Sequence, residues 1–577
     1  MSVLDAVPGA RAFSSYRRKW LPKDIVAGAV LTTLLVPQGM AYAELAGLPA
    51  ITGLYTSILC LLAYAVFGPS RVLVLGPDSA LGPMIAAAIM PLVATGESSA
   101  RKVALASMLG IMVAVIMILA AIAKLGFIAD LLSRPTMIGY MNGLALTILV
   151  GQLPKLFGFS VSSESFLGDL VGFVEKVADG AIVPAAAVVG VGGVVLILAL
   201  QRWTPKVPAV LVMVVLSIAA TVVFGLTEHG VKVVGTLPQG FPPFTIPHVE
   251  ASDWGPLFGG AIGIALVSLA DTISTSTSFA IRTGQEVRGN QEMIGIGTAN
   301  LAAGLFQGFP VSTSASRTAV AERSGMKTQL TGVTGAVLMI VMIVAIPGLF
   351  RNLPQPALAA IVIAASVSLA DVPGTVRLWR QQKAECLLSL AAFLSVALFG
   401  VLAGIGIAVA LSILNVFRRA WWPYATELSP VDGIEGYHDV HSYPPVRQLP
   451  GLVVYRFDAP LIFANAPAFR DAMRGLARLE PRPKWIVIAA EPMTDVDTTA
   501  ADMLEDLDQE LNADGTSLVF AELKDPVRRK IEKYGLTREI DPAHFFPTVE
   551  AAVAAFQAET GQDWTPVDPP KIGADDG

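Results

Sequence analysis

Charge is the property this chain has least of. Only 15% of its 577 residues are Asp, Glu, Lys or Arg, against about 25% in an average soluble domain, while 54% are hydrophobic. That balance excludes a soluble globule. Cysteine is nearly absent: Cys60 and Cys386 each lie inside an apolar run, which excludes a disulfide framework. No Gly-Lys dipeptide occurs, so the chain has no phosphate-binding loop of the Gly-Lys-Ser/Thr kind and is not an ATP-driven pump by itself. Histidine is scarce, and His229, His248, His438, His441 and His544 all fall outside the apolar runs. His438 with His441 lacks further ligands for a metal site, so no metal, cofactor or enzymatic activity is expected. No nucleic-acid partner is expected either.

What the chain does contain is long stretches without charge, at 25–43, 45–70, 104–123, 180–201, 207–227, 328–350 and 386–417. A spanning helix needs about 20 such residues. Because the runs are continuous rather than alternating, they predict helices and not a barrel. Arg11, Arg17, Arg18, Lys19 and Lys23 precede the first run with no small-residue cleavage site, which predicts an uncleaved first helix and a cytoplasmic N-terminus. Arg418 and Arg419 follow the last run, so both termini are expected on the cytoplasmic side of the inner (plasma) membrane, with an even number of spans, about fourteen. The stretch 383–419 is short for two spans, but Gly400, Gly404 and Gly406 in its middle favour a tight pair over one long helix. From about Asp432 charges and prolines return. Segments 452–457, 485–490 and 517–523 read as strands, 467–479, 499–511 and 525–534 as helices, and 512–515 as a turn, which predicts a small α/β domain. The expected organisation is an N-terminal segment at 1–23, a membrane domain at 24–420 with repeats at about 24–227 and 254–420, the α/β domain at 432–560, and a disordered tail at 561–577.

Polar groups at membrane depth are costly, and each is a candidate functional residue. Gln38 and Tyr42 stand four apart on one helix face. Asp78 and Ser79 follow the Gly76-Pro77 break, and Asp271 and Thr275 precede the segment Pro310 to Thr318 by a similar interval. Gln38 to Pro77 and Asp271 to Pro310 are both 39 residues, as two related repeats would give. Matching breaks in two halves point to the midplane site of a transporter. If Asp78 or Ser79 and Ser314 or Ser316 begin half-helices, free N–H groups and positive dipole ends face a shared cavity. Arg317 near such a terminus disfavours its own helix by a few tenths to about 1 kcal/mol, which suggests an anionic partner from outside. The alternative is an ion pair with Asp271 or Asp78 that only locks the repeats together. Asp271 can carry a proton, or with Thr275 offer oxygens to sodium. Gln38 and Tyr42 can line a site or merely join helices.

With the stretches Pro37 to Ala43 and Gly76 to Ala80, the Ser316-Arg317 pair and Val496-Asp497-Thr498-Thr499-Ala500 in this order, the sequence resembles the sulfate permease (SulP) family, relatives of solute carrier family 26. The resemblance implies a polytopic α-helical membrane protein of about fourteen segments in two inverted repeats of seven. It further implies uracil-permease-like core and gate domains, a cytoplasmic α/β STAS domain, a homodimer and a small anion as substrate. By motif position the anion site would comprise Gln38, Tyr42, Asp78, Ser79, Ala315, Ser316 and Arg317, with Asp271 and Thr275 in cation coupling. Sodium-coupled bicarbonate members carry small residues and a threonine where this chain has Ala315 and Arg317. A guanidinium there repels sodium, so proton-coupled uptake of a sulfate-type or carboxylate anion is expected. Sodium-coupled bicarbonate symport and an uncoupled channel or exchanger are the alternatives. Related STAS domains carry a phosphorylatable hydroxyl after the aspartate, which makes Thr498 or Thr499 a candidate regulatory site for an unidentified protein partner. Thr499 followed by Asp502 also reads as a helix cap.

Overall fold

The computed structural model describes residues 8–9, 16–94, 96–126, 133–161, 165–204, 207–283, 288–431, 434–443, 449–536 and 540–562. The expected tail from 563 onward and Arg11 of the basic cluster lie outside them. The chain divides into two compact units, Met1–Ser412 and Ile413–Gly577.

In the first unit α1 (Leu21–Leu45), α2 (Ala50–Phe67), α3 (Leu81–Ile89), α4 (Ser99–Ile122), α5 (Arg134–Leu156), α6 (Phe166–Ala178), α7 (Pro184–Trp203) and α8 (Ala209–Val223) form one series. A second series repeats it: α9 (Trp254–Thr283), α10 (Gly289–Leu305), α11 (Ala315–Arg323), α12 (Leu330–Ala345), α13 (Gln355–Leu369), α14 (Val372–Gln381), α15 (Lys383–Phe399) and α16 (Val401–Trp421). Several open on a proline in the first turn, Pro22, Pro135, Pro184, Pro356 and Pro373, where the missing N–H would be unpaired anyway. Among the described residues eight helices are long and apolar enough to cross a membrane by length and composition, and α3, α8 and α12 are shorter apolar helices. The expected pair within 383–419 is present. Gly400, at φ +84°, ends α15 and lets α16 begin, a conformation that only glycine adopts without strain.

The two series correspond member by member. From Leu21 to Leu81 is 60 positions and from Trp254 to Ala315 is 61, so each first helix is followed by its short third helix at nearly the same interval. The packing is reciprocal: α4 lies on α10 as α2 lies on α12, and α1 lies on α12 as α9 lies on α4. Two short strands, β1 (Leu75–Gly76) and β2 (Ser312–Thr313), precede α3 and α11 and pair antiparallel with each other. Corresponding strands that run antiparallel are what an inverted repeat produces. Seven spans per series remain once α6 and α14 are set aside. These two carry an apolar stripe that stays exposed, Leu167, Leu170, Val171 and Val174 on α6 and Val372, Val376 and Trp379 on α14. That is the pattern of a helix lying in the membrane interface. Two helix groups result: α1–α4 pack with α9–α12, and α5 and α7 with α13, while α1 also touches α8 and α13.

At its closest, α1 meets α2 backbone to backbone. A Cβ on Gly53 would stand 1.9 Å from the carbonyl oxygen of Gly39, so only hydrogen fits there.

The second unit is a six-stranded sheet in the order β4-β3-β5-β6-β7-β8, built from β3 (Ala425–Val431), β4 (Ile434–Asp439), β5 (Leu452–Phe457), β6 (Trp485–Ala489), β7 (Ser517–Ala521) and β8 (Phe545–Phe546). β5 to β8 run parallel, and β3 runs antiparallel to both neighbours. α17 (Ala466–Ala477), α18 (Thr498–Ala513) and α19 (Asp525–Tyr534) bury Phe469, Met473, Leu504, Leu507 and Ile531 on one face. α20 (Val549–Thr560) buries Val553 and Phe556 against Trp485 and Val519 on the other. The β3–β4 hairpin, β8 and α20 had no counterpart in the sequence reading.

Candidate functional site

The site is built at the two interruptions. Gly68, Pro69, Gly76 and Pro77 prevent a helix between α2 and α3, and the chain lies extended instead. Backbone groups freed at membrane depth must be satisfied by protein. Here Ser314 N–H donates to the Val74 carbonyl at 3.2 Å, and Val74 N–H donates to the Thr318 hydroxyl at 3.1 Å. In the second interruption Val311 N–H donates to the Asn300 side-chain oxygen at 2.9 Å, Phe309 N–H to the Thr56 hydroxyl at 3.1 Å, and the Ser107 hydroxyl to the Gly308 carbonyl at 2.9 Å. The Thr313 hydroxyl donates to that of Thr272 at 3.2 Å. Thr56, Ser107 and Asn300 are the scaffold that the sequence reading missed, and Thr272 stood in a stretch it singled out without giving that residue a role; as polar residues inside apolar helices they carried the needed signal.

α3 begins at Leu81, a little later than Asp78 or Ser79, because an Asp78 carboxylate oxygen accepts from Ala80 N–H at 2.9 Å and holds a turn ahead of the helix. α11 begins at Ala315 with Ser314 as its N-cap, accepting from Arg317 N–H at 3.5 Å, so Ser316 is a first-turn residue and not the cap. Both half-helices therefore start beside the β1–β2 ladder.

Arg317, the third residue of α11, is 1% exposed. Its Nη1 donates to the Pro77 carbonyl at 2.7 Å, and its Nη2 stands 4.0 Å from an Asp78 carboxylate oxygen. The ion pair weighed as an alternative thus exists, with Asp78 and not Asp271, but at a separation too long for a hydrogen bond. Nε and Nη2 are buried with no hydrogen-bond partner among the described residues. Around this guanidinium the structure gathers most of the expected residues. Tyr42 is 4% exposed within electrostatic reach of Arg317 and Asp78 and close to the Ser79 hydroxyl. Gln38 also has a buried oxygen without a partner. Asp271 is half-buried and faces Asp78, while Ala315 and Ser316 are exposed at the start of α11. Thr275 is buried one turn past Asp271, and the hydroxyl that meets the second interruption, in its own repeat, is that of Thr272 instead. The result is a guanidinium, the Asp78 carboxylate and the hydroxyls of Tyr42 and Ser79 brought together beside two helix starts, with the Asp271 carboxylate in electrostatic reach of Asp78.

In the second unit the helix cap is Asp497 and not Thr499. One Asp497 oxygen accepts from Ala500 N–H at 2.8 Å and the other from Phe463 N–H at 2.7 Å, a role a carboxylate fills well at a positive helix end. Thr498 and Thr499 are exposed in the first turn of α18. Asp439, at the end of β4, accepts from Tyr424, Thr426, the His441 backbone and Ser442. The Tyr424 hydroxyl first, then that of Thr426, hold its carboxyl well below the usual carboxylate range.

Two interlocked, inverted helical repeats whose broken helices meet at one polar site define a secondary transporter architecture. The chain belongs to the sulfate permease family, whose model matches residues 21–392; a STAS domain model matches 443–552. It is 40% identical over 551 residues to a "Probable sulfate transporter" of Mycobacterium tuberculosis, covering 95% of this chain and 98% of that one. It is 33% identical over 482 residues to solute carrier family 26 member 6 of Homo sapiens, covering 79% and 63%. Its fold is similar to that of the murine solute carrier 26 family member A9 anion transporter in the inward-facing state, with TM-score 0.87, 23% identity and coverage of 96% and 94%. The transmembrane domain of a cyanobacterial bicarbonate transporter matches with TM-score 0.60, 21% identity and coverage of 69% and 98%. The chain is accordingly a multi-pass membrane anion transporter of this family and not an enzyme.

Proposed function

We propose that the protein accumulates a small sulfate-type or carboxylate anion by proton symport, holding it between the starts of α3 and α11. The observation that carries this reading is Arg317, a fully buried guanidinium with two nitrogens that lack hydrogen-bond partners among the described residues. Leaving such donors unpaired costs about 1–3 kcal/mol or more, and an anion accepting from them and from the helix-start N–H groups recovers it. Asp271, Gln38, Tyr42, Asp78 and Ser79 complete the site in this reading. Protonation of Asp271 removes one negative charge beside the anion, so the loaded group α1–α4 with α9–α12 moves more cheaply past the other helices in an elevator-like step. The protein acts as a homodimer with cytoplasmic termini.

The test is uptake of labelled sulfate, bicarbonate and fumarate by proteoliposomes under an imposed proton gradient, sodium gradient or neither. Proton-driven accumulation of sulfate or fumarate supports the reading. Sodium-driven bicarbonate accumulation overturns the coupling, and flux without accumulation under any gradient overturns symport altogether.

A further inference from the structure

The helix group without the half-helices holds a cavity of about 500 Å³. α13 and α15 both pack on α5, which floors the cavity from Gly139 to Leu149, about 15 Å of helix; α14 packs on α5 and α15 and closes one end. That end is preformed: the Asn142 amide of α5 donates to the Thr375 hydroxyl at 2.9 Å and accepts from Asp371 N–H at 2.7 Å. Among the described residues no charged side chain lines the cavity. It faces away from α1. Lys155 of α5 donates to the Glu44 carbonyl of α1 at 3.3 Å, and Leu146, which lines the cavity, stands about two and a half turns earlier on the opposite face of α5.

The rim is apolar and exposed, with Val367 of α13, Val372 of α14 and Leu390 of α15, and Leu390 continues an exposed stripe of Leu387, Leu394 and Leu398. In a membrane protein such a rim meets lipid. Water enters a cavity only where it finds two or more polar partners, and an empty cavity forfeits dispersion contacts, so a hydrocarbon chain fills this space best. The closed end supplies a second feature. α14 has the pattern of an interfacial helix, Trp379 is exposed on its apolar stripe, Arg377 and Arg380 are exposed beside that stripe, and exposed Lys383 opens α15. Three cations at headgroup depth suit a phosphate. The acid that precedes them, Asp371, is engaged as the cap of α14, accepting from Gly374 N–H at 2.8 Å.

We propose that this cavity is a phospholipid site: one acyl chain lies along α5 between α13 and α15, and Arg377, Arg380 and Lys383 hold the anionic headgroup beside α14. The inference stands apart from the anion site and its coupling. The full chain is reconstituted in vesicles of phosphatidylglycerol or phosphatidylcholine carrying a photoreactive diazirine midway along one acyl chain, and adducts are located by peptide mass spectrometry. Adducts should gather on the cavity side chains Leu146, Leu149 and Phe393 several-fold above Val188 and Val195 on the exposed face of α7, and more with phosphatidylglycerol than with phosphatidylcholine. Arg377→Gln with Arg380→Gln should abolish that headgroup preference, and Ala145→Phe, which grows into the cavity, should lower its labelling. Labelling of the cavity no stronger than that of α7 overturns the proposal, as does equal labelling by the two lipids. Labelling that vanishes when two copies of the chain are cross-linked assigns the cavity to a second copy and overturns it as well.

Discussion

The two repeats share a backbone plan and differ in their charges. Gln38 and Asp271 both stand 17 positions after the first residue of their helices, yet one is an amide and the other a carboxylate. The start of α3 is approached by Asp78, and the start of α11 carries Arg317. Even the seams that join the repeats are closed in different chemistry. Buried Asp24 of α1 accepts from the backbone of Lys327 at 2.7 Å and Thr328 at 3.2 Å and from two threonine hydroxyls ahead of and within α12. Its counterpart Asp253, just ahead of α9, accepts from the Arg101 guanidinium of α4 at 2.7 Å. Duplication supplies symmetric architecture; the side chains then give the first repeat an amide and the Asp78 carboxylate where the second has the Asp271 carboxylate and the Arg317 guanidinium.

That asymmetry can be broken in stages. Gly53→Ala should be the most damaging change, since its methyl would collide with the Gly39 carbonyl and force α1 from α2; yield and melting temperature of the purified protein should both fall, and a normal melt would refute the close crossing. Arg317→Ala should lower anion affinity about 100-fold or more, read by calorimetry or uptake, because the buried carboxylate of Asp78 also loses its counter-ion. Gln38→Leu tests the amide that stands in the first repeat where the second has Asp271, and should weaken affinity by roughly 2- to 10-fold, the worth of one hydrogen bond, without touching proton dependence. Outside both repeats the effect should be smallest. Because Asp439 is held below its ordinary range, its contribution is present above about pH 4 and is lost as pH falls through the lower folded value. Asp439→Asn should therefore narrow the difference in STAS-domain thermal stability between pH 7 and strongly acidic solution.

The membrane class, the repeat structure and the candidate polar residues could be read in the sequence because lipid penalises polar groups, so Gln38, Asp271 and Arg317 stood out against apolar surroundings. The central strands were legible for the same reason in reverse, as compact apolar runs in a charged domain. Other features depend on partners far along the chain. The Pro77 carbonyl that accepts from Arg317 has no residue-type signal, and α6 and α14 are too short and too polar to register as spans. Helix caps went astray for a related reason: Asp497 takes the position because Phe463 donates to its second oxygen, a contact 34 residues away.

The antiparallel pairing of Leu75–Gly76 with Ser312–Thr313 has a further consequence. Parting the two half-helix starts would tear main-chain hydrogen bonds with no water to replace them. On the proposed reading the anion site between them is therefore inextensible: it can be uncovered, but it cannot stretch around a larger guest. Selection among anions should accordingly fall on radius before charge, with affinity dropping steeply once an ion outgrows the span that the ladder sets.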